Sequence, residues 1–438
     1  MRTVPLPQGL WVAVAGPEQE YALRYARASE GSVEVAETDQ DSRLILASGA
    51  VDPFLKHAMV QTKTAGMPKT VFRGVWQLPP GDSVEFRWDG VQVEARLPFD
   101  HPWLSQHLRY DVEYSTQRLE ELLVEGVEAA LAGERNPILL LSEGKDSVPL
   151  ARALYLTGVK AHCITFGERN TDTYEFARHI AQKYGHSHEL VTAQDLEFDK
   201  LLEECARLPH PSADQAVLAY AWLAARHEGR TVLDGQRAEM PMGFRHTVKE
   251  SLQCRLRRLS GLDPRRSVKS GRPIPAIAAY GVSWPSTGWR AGDEACIRSR
   301  VRTSFRRLSH GLPAGDIRLN IQSRGVTVDY NNKGSLWELG GMLLVRRPWG
   351  HQELAEWFAH GAVKAESGTS RGWLLRYLDE VENYSAHIRG KRGFQLPVNR
   401  LLEQEGTRHL GIEPGPAMRR LLVESTLRPS GPHWSPSV

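Results

Sequence analysis

The chain has 438 residues, of which 41% are hydrophobic and 24% are charged. This length favours two or three domains, and this composition is typical of a globular protein with a buried core. Because the formal net charge is only +3, charge gives no reason to expect nucleic-acid binding. The four scattered cysteines form no CxxC pair and indicate neither a zinc site nor a disulfide framework. The N-terminus does not resemble a signal peptide, and no apolar run is long enough to span a bilayer. We therefore expect a cytoplasmic protein that binds no membrane.

Residues 1–105 are predicted to form a small β-rich domain. The short apolar stretches LWVAVAG, RLILAS, SVEFRW and VQVEARL alternate with turn signals. Asp89 and Gly90 stand between two alternating runs, which is typical of a β-hairpin.

Residues 106–425 are predicted to form an α/β domain. A helical pattern over 110–131 leads into ILLLS, a short apolar run of the buried-strand type. Helical segments (SVPLARALYLTG, YEFARHIAQKYG and AVLAYAWLAARHEG) then alternate with the strands AHCITF, HELVTA and TVLDG. This alternation predicts a parallel sheet covered on both faces. Further helices are expected at 351–363 and 373–388, and a disordered tail over 426–438.

The strongest functional signal is LLLSEGKDS, residues 139–147, where an apolar strand enters a short polar loop before a helix. Small residues let the backbone approach a phosphate, and the helix N-terminus offers unpaired N–H groups. Ser142 and Ser147 add hydroxyl donors, Lys145 adds a positive charge, and Asp146 is a candidate Mg²⁺ ligand. The loop is not a Walker A motif, because GxxxxGK[ST] is absent. An ordinary polar turn between strand and helix is the alternative.

This loop resembles the Ser-Gly-Gly-x-Asp-Ser loop of PP-loop ATP pyrophosphatases, with Glu143 in place of the first glycine. Other segments resemble those of asparagine synthetases, in the same order, over roughly 110–405: ITFGERNTDTYEFARHIAQKYGHSHELV, HPSADQA, TVLDGQRAEMPMGF, LLVRRPWGHQELAEWF and IRGKRGFQLP. The chain is therefore similar to the asparagine-synthetase-like family. This resemblance implies a PP-loop fold of the adenine nucleotide α-hydrolase type.

The resemblance also implies roles for particular residues. Asp146 and Glu239 would hold Mg²⁺ on the phosphates of ATP, and Lys391 would act with Asp146 in catalysis by stabilising developing negative charge. The residues expected to contact pyrophosphate or nucleotide are Ser142, Gly144, Lys145, Asp146, Ser147, Phe166 and Gly235. The alternatives are a helix cap for Asp146, a solvated helix residue for Glu239 and a surface lysine for Lys391.

The N-terminal segment VFRGVWQLPPGDSVEF resembles the end of the glutaminase domain of the same family. Members that use glutamine carry a cysteine directly after the initiator methionine. Here Arg2 stands at that position and the first cysteine is Cys163. Since the reaction needs a thiolate, we expect no glutaminase activity and interpret the domain as a truncated relic with a structural role.

The function implied is ATP-dependent amide or lactam bond formation through an acyl-adenylate, in a specialised pathway such as antibiotic biosynthesis. Relatives without a working glutaminase include β-lactam synthetases and lasso-peptide cyclases. The stretch EMPMG resembles Asp-Ile-Pro-Leu-Gly of β-lactam synthetases, although these place a tyrosine where Gln236 stands. An ammonia-dependent asparagine synthetase, a tRNA-modifying PP-loop enzyme and a degenerate ATP-binding protein remain alternatives.

Two arginine-rich stretches lie at 254–272 and 297–307. A functional interpretation is an acidic peptide or carrier protein as a partner, beside the carboxylate and amine substrates, but we favour the structural interpretation, a solvated helix face.

Overall fold

The described part of the chain alternates strands and helices around one parallel sheet. The computed structural model describes residues 1–16, 23–62, 65, 69–78, 83–96, 114–235, 333–351, 353–354, 357, 371–387 and 416–427. The strands are β1 (Arg2–Pro5), β2 (Trp11–Ala15), β3 (Arg24–Ser29), β4 (Ser32–Val35), β5 (Val75–Leu78), β6 (Ser83–Trp88), β7 (Val93–Arg96), β8 (Ile138–Leu140), β9 (His162–Phe166), β10 (Ser187–Val191), β11 (Thr231–Leu233) and β12 (Leu344–Arg346). The helices are α1 (Asp39–Ala47), α2 (Pro53–Thr62), α3 (Thr116–Leu131), α4 (Val148–Leu156), α5 (Asp172–Lys183), α6 (Phe198–Cys205), α7 (Val217–His227), α8 (Lys333–Leu339), α9 (Arg371–Glu382), α10 (Tyr384–His387) and α11 (Pro416–Leu427).

Five parallel strands form the main sheet in the order β10-β9-β8-β11-β12. Both faces are covered, because alternate residues of a strand enter different hydrophobic cores: Ile138 joins the core with α7 and α11, and Leu139 joins the core with α3 and α4. The predicted fold class, a parallel α/β sheet with a smaller β-rich N-terminal region, is confirmed. The edge strand β12 was not predicted.

The N-terminal region contains two antiparallel sheets, β1-β4-β3-β5 and β2-β6-β7. The predicted hairpin is confirmed between β6 and β7. Its turn is closed by the Asp89 side chain, which accepts the N–H groups of Val91 and Gln92, each at 2.8 Å. Gly90 takes φ +100°, a value that glycine adopts without strain.

One stretch of the N-terminal region is helical where a β pattern was expected. RLILAS lies mostly within α1, not in a strand. The helix begins with a capping box, in which Thr38 and Asp41 satisfy each other's backbone N–H groups. Ser42, Ile45 and Leu46 are buried along one face. Helical spacing of buried residues and the cap therefore outweigh the β-like apolar run.

The N-terminal region and the α/β region share one hydrophobic core. Tyr25, Ile45 and Val60 pack in the same cluster as Trp337 and Leu422. This continuity agrees with a structural role for the N-terminal region.

Several expected boundaries fall partly outside the described residues. The boundary near 105 lies outside them, and so does most of the expected helix at 351–363. Most of the tail over 426–438, expected to be disordered, also lies outside them, but its first two residues are helical and end α11. The helix expected at 373–388 corresponds to α9 and α10. Among the residues described, no helix has the length and apolar character needed to cross a lipid bilayer.

Candidate functional site

The loop after β8 lies where the strand order of the main sheet reverses. The strand β8 comes first along the chain, its successors β9 and β10 lie on one side, and β11 and β12 lie on the other. In open α/β sheets, ligands bind at the carboxyl ends of the strands beside such a switch point. Here the residues beside the switch point are those of loop 141–147, which leaves β8, and Asp234 and Gly235, which follow β11.

Two serine hydroxyls hold the loop in a tight turn. The N–H of Ser142 donates to Ser147 Oγ at 3.1 Å, and the N–H of Gly144 donates to Ser142 Oγ at 3.0 Å. A β-carbon at position 144 would lie 2.8 Å from Ser142 Oγ, so a larger residue there would displace the hydroxyl that closes this turn. Ser147 directly precedes α4, and its hydroxyl points into the loop without capping the helix. The two hydroxyls and the helix N-terminus therefore lie together at the carboxyl end of β8.

Lys145 and Asp146 form an ion pair within this loop. Lys145 Nζ lies 2.6 Å from Asp146 Oδ1, and the two side chains are 12% and 28% exposed. A partly exposed carboxylate at a phosphate site fits Mg²⁺, which commonly takes one or two carboxylates together with substrate phosphates. The adjacent ammonium offers a point charge for a phosphate oxygen.

Distant parts of the chain brace the loop. Trp349 Nε1 donates to the carbonyl of Asp146 at 2.7 Å, and the Tyr384 hydroxyl donates to the carbonyl of Glu143 at 2.7 Å. Burial raises the pKa of Tyr384, and the Glu143 and Asp146 carboxylates act in the same direction. Tyr384 therefore remains a neutral donor. Glu143, which replaces the expected glycine, is itself buried.

The strand after the loop braces it as well. Thr165 in β9 donates its hydroxyl to the carbonyl of Leu141 at 2.8 Å, so its oxygen accepts from His188 Nε2, also at 2.8 Å. Burial lowers the pKa of His188 to about 4, and the positive charge of Arg178 adds to this shift. A neutral His188 that donates from Nε2 satisfies both observations.

Buried polar residues lie behind the end of β11. Asp234 is 8% exposed, accepts a short hydrogen bond from the Tyr220 hydroxyl, and donates its N–H to the carbonyl of Arg346 at 3.0 Å. Burial and the Asp234 charge raise the pKa of Tyr220, while the nearby Arg347 guanidinium opposes this effect. Arg347 is buried and donates to Ser335 Oγ at 2.7 Å. These buried polar groups link the end of β11 to the end of β12.

The structure brings together most of the predicted site residues that it describes. Ser142, Gly144, Lys145, Asp146 and Ser147 form the loop, and Gly235 packs against it. Phe166 ends β9 as expected, but its buried ring packs edge-on against Trp222, with 5.6 Å between centroids.

Other predicted residues lie outside the described part of the chain. These are Glu239 and Lys391, together with the arginine-rich stretches 254–272 and 297–307; Gln236, which stands where β-lactam synthetases place a tyrosine, also lies there. Their roles stay predictions.

Trp349 and Tyr384 were not identified from the sequence. They lie 203 and 241 residues from their partners in the loop, and no local pattern marks them as loop contacts.

No family model matches the chain, and no curated protein matches it. Among solved structures, the chain is similar to an NMN synthetase from Francisella tularensis. Identity is 16%, the match covers 45% of this chain and 95% of that chain, and the TM-score is 0.22. It is also similar to an NH3-dependent NAD synthetase from Campylobacter jejuni in complex with the nitrate ion. Here identity is 15%, coverage is 50% and 96%, and the TM-score is 0.23. Similarity at this level identifies no function, and the resemblance to asparagine synthetases stays a prediction.

Proposed function

We propose that this chain forms amide or lactam bonds at the expense of ATP, through an acyl-adenylate, with release of AMP and pyrophosphate. One observation carries this proposal. At the switch point of a parallel sheet, a loop held by serine hydroxyls places Lys145 and Asp146 directly before α4. Serine hydroxyls, a cation and a carboxylate at one helix N-terminus match the needs of a nucleoside triphosphate with its metal.

The reaction has two displacement steps. A substrate carboxylate attacks the α-phosphorus of ATP, and the bond to pyrophosphate breaks. An amine then attacks the activated carbonyl, and AMP leaves with the electron pair of the acyl–phosphate bond. Positioning and neutralisation of charge supply most of the rate in such phosphoryl chemistry.

The loop residues have distinct parts in this reaction. Ser142, Gly144 and Ser147 would bind the departing pyrophosphate by exchanging the hydrogen bonds that their hydroxyls and N–H groups make within the loop for bonds to phosphate oxygens. Lys145 would exchange its partner Asp146 for a phosphate oxygen, which frees the carboxylate for Mg²⁺. The metal, when bound, neutralises phosphate charge. Glu239 as a second metal ligand and Lys391 as the stabiliser of developing charge are part of the proposal.

The source of the amine follows from the N-terminal region. Residues 1–162 contain no cysteine, so they offer no thiol for glutamine hydrolysis. We therefore propose free ammonia or a substrate amine as the nucleophile. A ring-closing reaction within one small molecule or peptide, as the resemblance to β-lactam synthetases and lasso-peptide cyclases implies, is the form we favour.

Isotope exchange between pyrophosphate and ATP tests this proposal. The full chain is incubated with Mg²⁺, ATP, labelled pyrophosphate and pools of amino acids or amine-bearing carboxylates. We expect label to enter ATP only with a pool that contains the substrate, and not in Asp146→Asn. Exchange with aspartate, followed by asparagine formation with ammonia, would identify an asparagine synthetase. ATP binding without exchange in every pool, including a peptide pool and a tRNA pool, would replace the proposal with a degenerate ATP-binding protein.

A further inference from the structure

A histidine–glutamate–histidine cluster lies at the opposite end of the main sheet from loop 141–147. It consists of His162, Glu189 and His227, each of which offers one ligand atom within 4.8 Å of the others. His162 is the first residue of β9, Glu189 lies within β10, and His227 is the last residue of α7. Because the sheet is parallel, the amino end of β9 is remote from the carboxyl ends beside the switch point.

Strand register explains why two of these residues meet. Ser187 lies directly opposite His162 in the β9–β10 ladder. Glu189 is two residues further along β10, so its side chain leaves the same face of the sheet. The third residue ends a helix, where the macrodipole favours positive charge. The cluster is therefore held by three regular elements.

The hydrogen bonds of His162 leave one ring nitrogen facing a carboxylate. Its Nδ1 lies 3.0 Å from Ser187 Oγ, and that hydroxyl can donate to the carbonyl of Ala161 at 3.4 Å. In this arrangement Nδ1 carries the hydrogen and donates to Ser187. His162 Nε2 lies 2.8 Å from Glu189 Oε2, and two lone-pair atoms at this distance need a proton or a cation between them.

The third ligand has spare coordinating capacity. His227 Nε2 is buried and has no hydrogen-bond partner among the described residues. The ring packs against Trp222, with 5.8 Å between centroids. Two arginines lie nearby, but each is engaged elsewhere: Arg226 lies over the Trp222 ring and Arg230 donates to the carbonyl of Asn136.

We infer that His162, Glu189 and His227 form a binding site for a divalent transition metal, of which Zn²⁺ is the best match. Two imidazoles and a carboxylate are ligands that zinc prefers, and a solvent molecule would complete a tetrahedral site. In such a site, bond lengths of about 2.0–2.1 Å place ligand atoms about 3.3 Å apart. The ligand atoms lie within 4.8 Å of one another here, and small rotations of the partly exposed His162 and Glu189 side chains would bring them to this spacing. Ser187 is the positioning residue, since its bond to Nδ1 directs Nε2 towards the metal.

Zinc titration of the full chain tests this site. Protein cleared of metal by chelation is titrated with Zn²⁺ in competition with a chromophoric chelator. The variants are Glu189→Gln, His162→Asn and Ser187→Ala, and the control is His179→Asn, which changes an exposed histidine on α5. We expect the wild type and the control to bind one equivalent of Zn²⁺ that Glu189→Gln and His162→Asn lose. Ser187→Ala should retain this equivalent with about 10–100-fold weaker affinity.

A second readout separates the site from a simple ion pair. We expect stoichiometric Zn²⁺ to raise the melting temperature of the wild type and of the control, but not that of Glu189→Gln, while Mg²⁺ at equal concentration has no effect. If zinc binding and melting temperature are the same in the wild type and in Glu189→Gln, a proton bridges His162 and Glu189, and the inference is wrong. The inference is independent of ATP chemistry, so either proposal can fail alone.

Discussion

Gly235 lies directly against the backbone of Asp146. A β-carbon at position 235 would lie 3.0 Å from both the carbonyl carbon and the carbonyl oxygen of Asp146, and 3.3 Å from its β-carbon. The same carbonyl accepts the indole N–H of Trp349. The end of β11 and the segment after β12 therefore fix the position of loop 141–147, which leaves β8.

Adding one methyl group at this contact is expected to disturb nucleotide binding. In Gly235→Ala, the β-carbon must displace the backbone of Asp146 by a few tenths of an ångström. We expect ATP affinity to fall at least about tenfold, which corresponds to about 1.4 kcal/mol of binding free energy. The matched control is Gly167→Ala, which follows the neighbouring strand β9 and where a β-carbon would meet nothing within 4 Å. Equal ATP affinity in both variants, measured by calorimetry, would contradict the close approach at Gly235.

Removing the charge of Asp146 is expected to abolish metal-dependent chemistry while the fold remains. Asp146→Asn preserves the size of the side chain but loses the anionic ligand for Mg²⁺. We expect at least about a 100-fold loss of AMP formation. The free energy of unfolding should change by less than about 1 kcal/mol, because the ion pair with Lys145 is partly exposed. Asp172→Asn, an exposed carboxylate in the first turn of α5, is the control and should retain activity.

The hydroxyl of Tyr384 is expected to act on the loop as well as on stability. In Tyr384→Phe, the carbonyl of Glu143 loses its 2.7 Å donor. Loss of such a buried bond lowers the free energy of unfolding by about 1–3 kcal/mol. Tyr377→Phe is the matched control, because that hydroxyl donates at 3.1 Å to Glu120, away from the loop. We expect both variants to melt earlier, but only Tyr384→Phe to weaken ATP binding. Equal ATP affinity in the two variants would show that the Tyr384 hydroxyl has no role in ATP binding.

Acid is expected to weaken the contact between the N-terminal region and the α/β region through His210. Its ring packs against Tyr25 and Phe72 of the N-terminal region, and its Nδ1 lies 2.9 Å from the carbonyl of Pro211. Burial lowers the pKa of His210 from 6.5 to about 4. Between these two pKa values the unfolded chain binds more protons than the folded chain, so the free energy of unfolding decreases as the pH falls.

A neutral, buried His210 makes its full contribution to the free energy of unfolding above pH 6.5, and this contribution is lost as the pH falls through 4. The loss is on the order of 3 kcal/mol. Denaturant unfolding at pH 7, 5.5 and 4.5 measures it. We expect His210→Asn to be less stable at pH 7 and to have a shallower dependence on pH than the control His179→Asn. If the free energy of unfolding depends on pH equally in both variants, His210 is not the source of the loss of stability in acid.

The sequence predicted the features that depend on neighbouring residues. The parallel sheet followed from apolar runs that alternate with helical spacing, and the loop followed from a strand, small polar residues and a helix in direct succession. The helix α1 was missed although its capping pair, Thr38 and Asp41, is visible in the sequence. The apolar run that follows gave a stronger β signal.

Contacts between distant segments could not be predicted in this way. Trp349 and Tyr384 reach the loop only because the chain returns to it after more than 200 residues. The position of Phe166 at a strand end was predictable, but the packing of its ring against Trp222 depends on where α7 crosses the sheet. The cluster at His162 likewise depends on the register between β9 and β10.

Identification of the nucleotide products tests the central claim most directly. The full chain is incubated with Mg²⁺, ATP and the carboxylate pools, and the nucleotides are separated and quantified. The proposal predicts AMP and pyrophosphate in equal amounts, dependent on a carboxylate and lost in Asp146→Asn. Formation of ADP and phosphate by the wild type, lost in the same variant, would mean that the loop directs attack at the γ-phosphorus and would contradict the assignment.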